Sequence, residues 1–243
     1  MKNTEQINQL LHLADNALII GHRNSEWCGH GPILEQDIAI SNIALDYIGQ
    51  ARNFYQYAAT CINGNATDTK PATEDSLAYL RDVRDFKNHL ITELPNGDWA
   101  QTNLRIFLFS TYQYFLYQQL QQDADAQIGA IAEKSLKEVT YHVRWAGDWV
   151  IRLGDGTEES KARMMNAVDY LWPYTGELFL DTPTSIQQQW LQKVTAVFEE
   201  AGLVIPTNTW AQKGGKEGNH TEHLGYILAE MQYIQRAYPN SEW

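Results

Sequence analysis

The 243 residues carry 30 acidic against 18 basic side chains, a formal charge of -12, and a hydrophobic share of 44%. This is the composition of a globular chain with a sizeable core, and its negative field repels nucleic acid and anionic lipid, so neither is an expected partner. Two cysteines, Cys28 and Cys61, are too few for a disulfide framework.

The N-terminal stretch has acidic residues where an export signal would be basic and then apolar, and a cytoplasmic location is expected. Turn residues are sparse and the segments between them long, which predicts helices joined by short loops rather than strands. The first helix is predicted from about Glu5 to Gly21, with Ile7, Leu10, Leu11, Ala14, Ala17 and Leu18 on one face. After NSEWCGHGP breaks it, Pro32 stands where a helix can begin, and Ile33 to Cys61 runs uninterrupted and apolar on nearly every side. Such a helix belongs in the middle of a bundle.

A loop over 62–72 leads to Thr73 as an N-cap and a helix to about Leu94, ended by Pro95, Asn96 and Gly97. Asp98 caps the next helix, to about Gln121, whose uncharged stretch Ile106 to Gln122 is too broken by polar residues to span a membrane. Its Phe107, Phe109, Tyr112, Tyr114, Phe115 and Tyr117 offer more aromatic surface than one face can bury, which suggests a partner interface. Asp125 to Leu153 is the cleanest amphipathic segment, stopped by GDG. Thr157, Thr182 followed by Pro183, and Thr221 open three further helices, ending near Gly176, Gly202 and Pro239. No linker divides the chain, so one all-α domain over 1–243 is expected.

Long helices of this kind hold di-iron or di-manganese pairs when two of them each give a Glu and two others each give Glu-x-x-His. Only Glu217 and His220 have that spacing here, and they lie in KGGKEGNH, where glycines argue against an interior helix. At the places where ligands belong, the helices read Asp46-x-x-Gly49 and Glu138-x-x-Tyr141, with Asp15 and Ser110 on the helices before each. That is a poor di-iron donor set. Asp15, Asp46, Glu138 and His142, with Arg144 nearby, are instead expected to form a hydrogen-bonded network in the space a metal pair would fill.

Three other features invite chemistry. His220, Glu222 and His223 form a cluster whose histidines are three apart rather than the four of a helical zinc motif, so capping is the expected role. KGGKEG lacks the Ser or Thr after lysine that a phosphate loop needs, and Cys28 is expected to be a buried small residue. Arg81, Arg84 and Lys87, three residues apart on the helix predicted from 73 to 94, could meet a phosphate or form a solvated face paired with Asp82 and Asp85.

The blocks SEWCGHGPILEQDIAISNIALDYIGQARNF, LPNGDWAQT, KEVTYHVRWAGDWVIRLGDGT and GGKEGNHTEHLGYILAEMQYIQRAYPNSEW resemble the C-subunit family of the ring-1,2-phenylacetyl-CoA epoxidases, bacterial multicomponent monooxygenases. The resemblance is colinear over essentially the whole chain. It implies a ferritin-like helical bundle with additional C-terminal helices, and a structural, non-catalytic role without a cofactor or metal of its own. It implies a homologous catalytic A subunit holding the di-iron centre and a small bridging B subunit. It further implies a reductase subunit with FAD and a 2Fe-2S cluster that draws on NADPH. It also places Asp85, Phe86, Lys87 and Asn88, with Arg84 beside them, and Ile186, Gln187 and Gln188 near bound phenylacetyl-CoA. Two rival readings stay open: an independent ferritin-like oxidase with a degenerate site of Asp46, Glu138 and His142, and a free-standing binder of CoA esters using Arg81, Arg84 and Lys87.

Overall fold

Thr4 opens the first helix of the computed structural model, which describes residues 4–64, 71–207, 210–239 and 241. The tip of the loop predicted over 62–72, residues 65–70, lies outside them. Every regular element among the described residues is helical, and the fold class is all-α, as expected of a ferritin-like chain. The chain gathers into two compact units, one of residues 1–95 with 214–243 and one of residues 96–213. The boundaries fall at Pro95 and Lys213, where the glycine-containing stretches PNG and KGGKEG are too short to read as linkers, and the sequence reads as a single domain over 1–243.

In the first unit α1 (Thr4–Ser25) and α2 (Leu34–Asn63) run antiparallel, with Tyr55 reaching Asp15 and Ile48 lying over Gly21. Every residue of α1 from His12 to Gly21 is buried. The turn between the helices is held by Asp37, which accepts the backbone N–H groups of Gly29 and Gly31 at 3.2 and 2.9 Å. Those two bonds hold its carboxyl below the usual carboxylate range. Cys28, on this turn, is exposed rather than buried as expected, because the turn projects from the helix pair; Cys61 is buried.

The helix expected from 73 to 94 is not continuous. Thr73 does cap it, exchanging hydrogen bonds with Ser76, but α3 (Glu74–Tyr79) stops at Leu80, a 3-10 turn covers Val83–Asp85, and only α4 (Leu90–Glu93) resumes. The cause is α1. Asp15 accepts the N–H of Lys87 at 2.8 Å, Asn16 accepts that of His89 at 2.9 Å, and His12 bonds the carbonyl of Lys87 at 2.6 Å. These side chains satisfy in extended form the backbone groups that a helix would have paired internally. Downstream, a 3-10 turn over Gly215–Glu217 leads to α9 (Glu222–Met231), capped by Thr221, and α10 (Tyr233–Ala237). One helix to Pro239 was expected; the break at Gln232 accompanies its amide donating to the carbonyls of Ala78 and Arg81.

The second unit contains α5 (Trp99–Leu120), capped by Asp98, and α6 (Ala126–Gly154), capped by Asp125. These are followed by α7 (Glu158–Leu171), with a Thr157–Ser160 capping box, and α8 (Thr184–Glu200). From Thr102 to Gln113 α5 is buried all round, and Trp190 of α8 donates its indole N–H to the carbonyl of Leu108 at 2.8 Å. The glycine that ends α6 has a packing cause, since a side chain at Gly154 would collide with the backbone of Ala201. No helix among the described residues is long and apolar enough to cross a membrane.

Candidate functional site

Asp15 and Asp46 fall in the first unit, Glu138 and His142 in the second. Asp15 is completely buried, and its carboxylate is occupied within its own unit by the Arg81 guanidinium, the Tyr55 hydroxyl and the Lys87 N–H. Arg81 also donates to the carbonyls of Leu77 and Asp85 and lies over the Phe86 ring, 4.3 Å from its centroid. Burial opposes the guanidinium charge, yet Asp15 and Tyr55 outweigh it and hold Arg81 more firmly protonated than usual. Burial, then the neighbouring Asp15 charge, pushes the Tyr55 phenol well up. Arg81 is therefore neither part of a solvated cationic stripe nor an anion ligand. Asp46 and Glu138 are half-buried, His142 is buried, and Arg144 is exposed.

This donor set does not fit a metal pair. A cation already neutralises Asp15, α2 offers Gly49 where an imidazole would be needed, and no three His, Cys, Asp or Glu side chains gather at metal-binding spacing among the described residues.

A second polar cluster was missed by reading the sequence. Glu93, fully buried, accepts from the Asn88 amide at 2.9 Å, from His220 at 2.8 Å and from the Thr221 N–H at 2.6 Å. The other His220 nitrogen is 2.9 Å from the carbonyl of Phe86. The histidine-rich stretch thus ties the start of α9 to the segment before α4, and the glycine-rich loop serves the same contact. A side chain at Gly215 would collide with the carbonyl of Asn88, and one at Gly218, where φ is +81°, with that of Arg84. The available signal was Glu93 itself, an acid inside the apolar run LITEL.

Of the residues placed near a CoA ester by resemblance, Phe86 and Asn88 are fully buried, Ile186 is buried, Arg84, Asp85, Gln187 and Gln188 are exposed, and Lys87 is half-buried. The two stretches belong to different units. Gln187 lines a cavity of about 340 Å³ with Trp172, Phe179, Trp190 and Trp210. Of the α5 aromatics, Phe107, Phe109, Tyr112 and Tyr117 are buried inside the chain, while Tyr114 and Phe115 stay half-buried in a pocket of about 600 Å³ walled by α5, α6 and α8. Only these two remain available to a partner, because the others pack against elements of the chain itself.

The buried histidines set a pH dependence. Burial, reinforced by the nearby His89 and Lys216 charges, holds His12 well below the ordinary imidazole value of 6.5. Its unfolded form takes up a proton that the folded form refuses, so stability should fall as pH drops below about 6.5, by up to about 1.4 kcal/mol per unit. His220 acts oppositely. Burial disfavours its charge, but the bond to and charge of Glu93 raise it above 6.5, giving stability that is present below that value and lost as pH rises through the folded pKa. Urea unfolding of His12→Asn between pH 5 and 7 should show a shallower loss on acidification than the parent chain, and an unchanged slope would contradict this account.

Two comparisons with known proteins bear on the chain. A family model described as phenylacetic acid catabolic protein matches residues 1–243. The chain is 41% identical over 255 aligned residues to the C subunit of the 1,2-phenylacetyl-CoA epoxidase of Escherichia coli (strain K12), covering 98% of this chain and 100% of that protein. On a match of that extent, the chain belongs to the phenylacetic acid catabolic protein family.

Proposed function

We propose that this chain is the structural, catalytically inactive subunit of a phenylacetyl-CoA 1,2-epoxidase, paired with a homologous A subunit that holds the di-iron centre. The observation that carries the reading is Asp15, whose carboxylate is given over to a guanidinium, a phenol and a backbone N–H. An arginine at this depth contributes the positive charge that a metal would otherwise bring and closes the position to exchangeable ligands. A second bundle packed beside a di-iron subunit keeps that site rigid and screened from water, so scaffolding is itself a mechanistic contribution. A bridging B subunit and a reductase with FAD and a 2Fe-2S cluster complete the assembly, consistent with the name of the Escherichia coli relative, one subunit of an epoxidase. Arg84 and Lys87 are the cations at the surface of the 84–88 segment and would face the CoA phosphates of the substrate.

Metal analysis and turnover test this. The purified chain should contain far less than one iron per chain and show no epoxidation with reductase and NADPH. Co-expression with its A subunit should give a complex that epoxidises phenylacetyl-CoA. About two irons per chain, or turnover by the chain alone, would establish the independent oxidase instead.

A further inference from the structure

The sequence makes α2 apolar on nearly every side, but the chain covers only one of its faces. Ile40, Ile43, Tyr47, Phe54 and Ala58 are buried. On another face Leu34, Ile38 and Leu45 are 71%, 52% and 67% exposed, with Ile33 before them at 55%. Leu34, Ile38 and Leu45 fall at the first, second and fourth positions of a four-three-four alternation, which keeps one seam of a helix directed at a second helix lying alongside, and Ser41 at the third turns its hydroxyl inward. Scattered exposed leucines need no explanation, but a seam of this register whose large apolar side chains are more than half exposed does. From Leu34 to Leu45 it runs about 18 Å, enough for some three turns of a neighbouring helix.

We infer that this seam of α2 is the docking strip for a helix of the non-identical A subunit, an apolar helix bordered by lysine or arginine. The inference rests on the pairing proposed above and adds the face that makes it. Charge selects the occupant. Glu35 is exposed beside Leu34, Glu35 and Asp37 give the first turn an acidic end, and the chain as a whole carries -12. A second copy would bring the same net negative field against it, whereas a basic-edged helix is drawn to that field and to Glu35. Arg52, a heptad beyond Leu45, is already engaged by Glu74 at 3.2 Å. The strip would form the apolar centre of the contact, with the charged residues as its rim.

Binding of purified chain to immobilised A subunit tests the assignment, using Leu34→Glu, Leu45→Glu and, as a control on the second unit, Leu180→Glu, a residue 57% exposed. All three side chains point mostly to water, so circular dichroism and thermal midpoint should match the parent. The expected result is a Kd raised about thirty-fold or more by either seam variant, as for a carboxylate forced into an apolar interface centre, with Leu180→Glu binding as the parent does. Unchanged binding by both seam variants would overturn the face while leaving the pairing intact. No binding by the parent chain would remove the pairing itself, and this inference with it. If sedimentation shows the parent chain to be a dimer that Leu45→Glu splits without loss of A-subunit binding, the occupant is a second copy and the assignment is wrong.

Discussion

Replacing Arg81 with methionine is expected to lower the unfolding free energy of the chain by about 3–5 kcal/mol, the loss typical when one partner of a buried ion pair is removed. Asp15 has no exposure at all, so its charge cannot turn to water when the guanidinium is gone. Tyr55 and the Lys87 N–H would remain as donors, but they supply no compensating charge. The damage should also spread, because Arg81 ties the carbonyl of Leu77 in α3 to that of Asp85 in the 3-10 turn that follows. Adding Asp15→Leu to Arg81→Met should recover a large part of the loss, since an apolar pair of similar volume has no stranded charge. Urea unfolding followed by circular dichroism checks both. A loss below about 1 kcal/mol for Arg81→Met would mean that the pair behaves as an exposed one.

Glu93→Ala should be nearly as severe, with a loss of about 3–5 kcal/mol, because three donors, from Asn88, His220 and Thr221, would lose a buried acceptor together. Glu93→Gln, which keeps one acceptor oxygen and the shape, should cost about 1–3 kcal/mol. The location of the loss distinguishes this cluster from a general weakening of the core. Hydrogen exchange should accelerate first at Thr221 and along α9, while α5 and α6 keep their protection until global unfolding. Uniform acceleration through both units would instead show that Glu93 supports the whole chain.

The long helices were legible because their apolar residues fall at helical spacing, and α5, α6 and α7 are also bounded by a cap that acts over two or three residues: Asp98 on Gln101, Asp125 on Gln127, Thr157 on Ser160. Information of that range is local. The interruption between α3 and α4 was not, since the groups that hold residues 86–89 extended are Asp15, Asn16 and His12, more than seventy positions earlier. The same distance hid the role of Arg81, which by spacing alone looked like one cation in a stripe. Loss of the Glu-x-x-His pattern at Asp46 and Glu138 could be seen in the sequence, but the guanidinium on Asp15 could not. Resemblance brought Phe86 and Asn88 forward as substrate contacts, whereas each has a packing or hydrogen-bonding task inside the first unit: the Arg81 guanidinium lies over Phe86, and Asn88 donates to Glu93.

The contact of Gly215 and Gly218 with residues 84–88, and of His220 and Thr221 with Glu93, joins stretches separated by well over a hundred positions. During synthesis on the ribosome the second unit is complete before those glycines emerge. The first unit must therefore wait, with Glu93 unsealed and the 84–90 segment uncovered, until residues 215–221 arrive. A nascent chain halted before residue 214 would hold that segment open, its buried acid lacking the two donors that His220 and Thr221 bring.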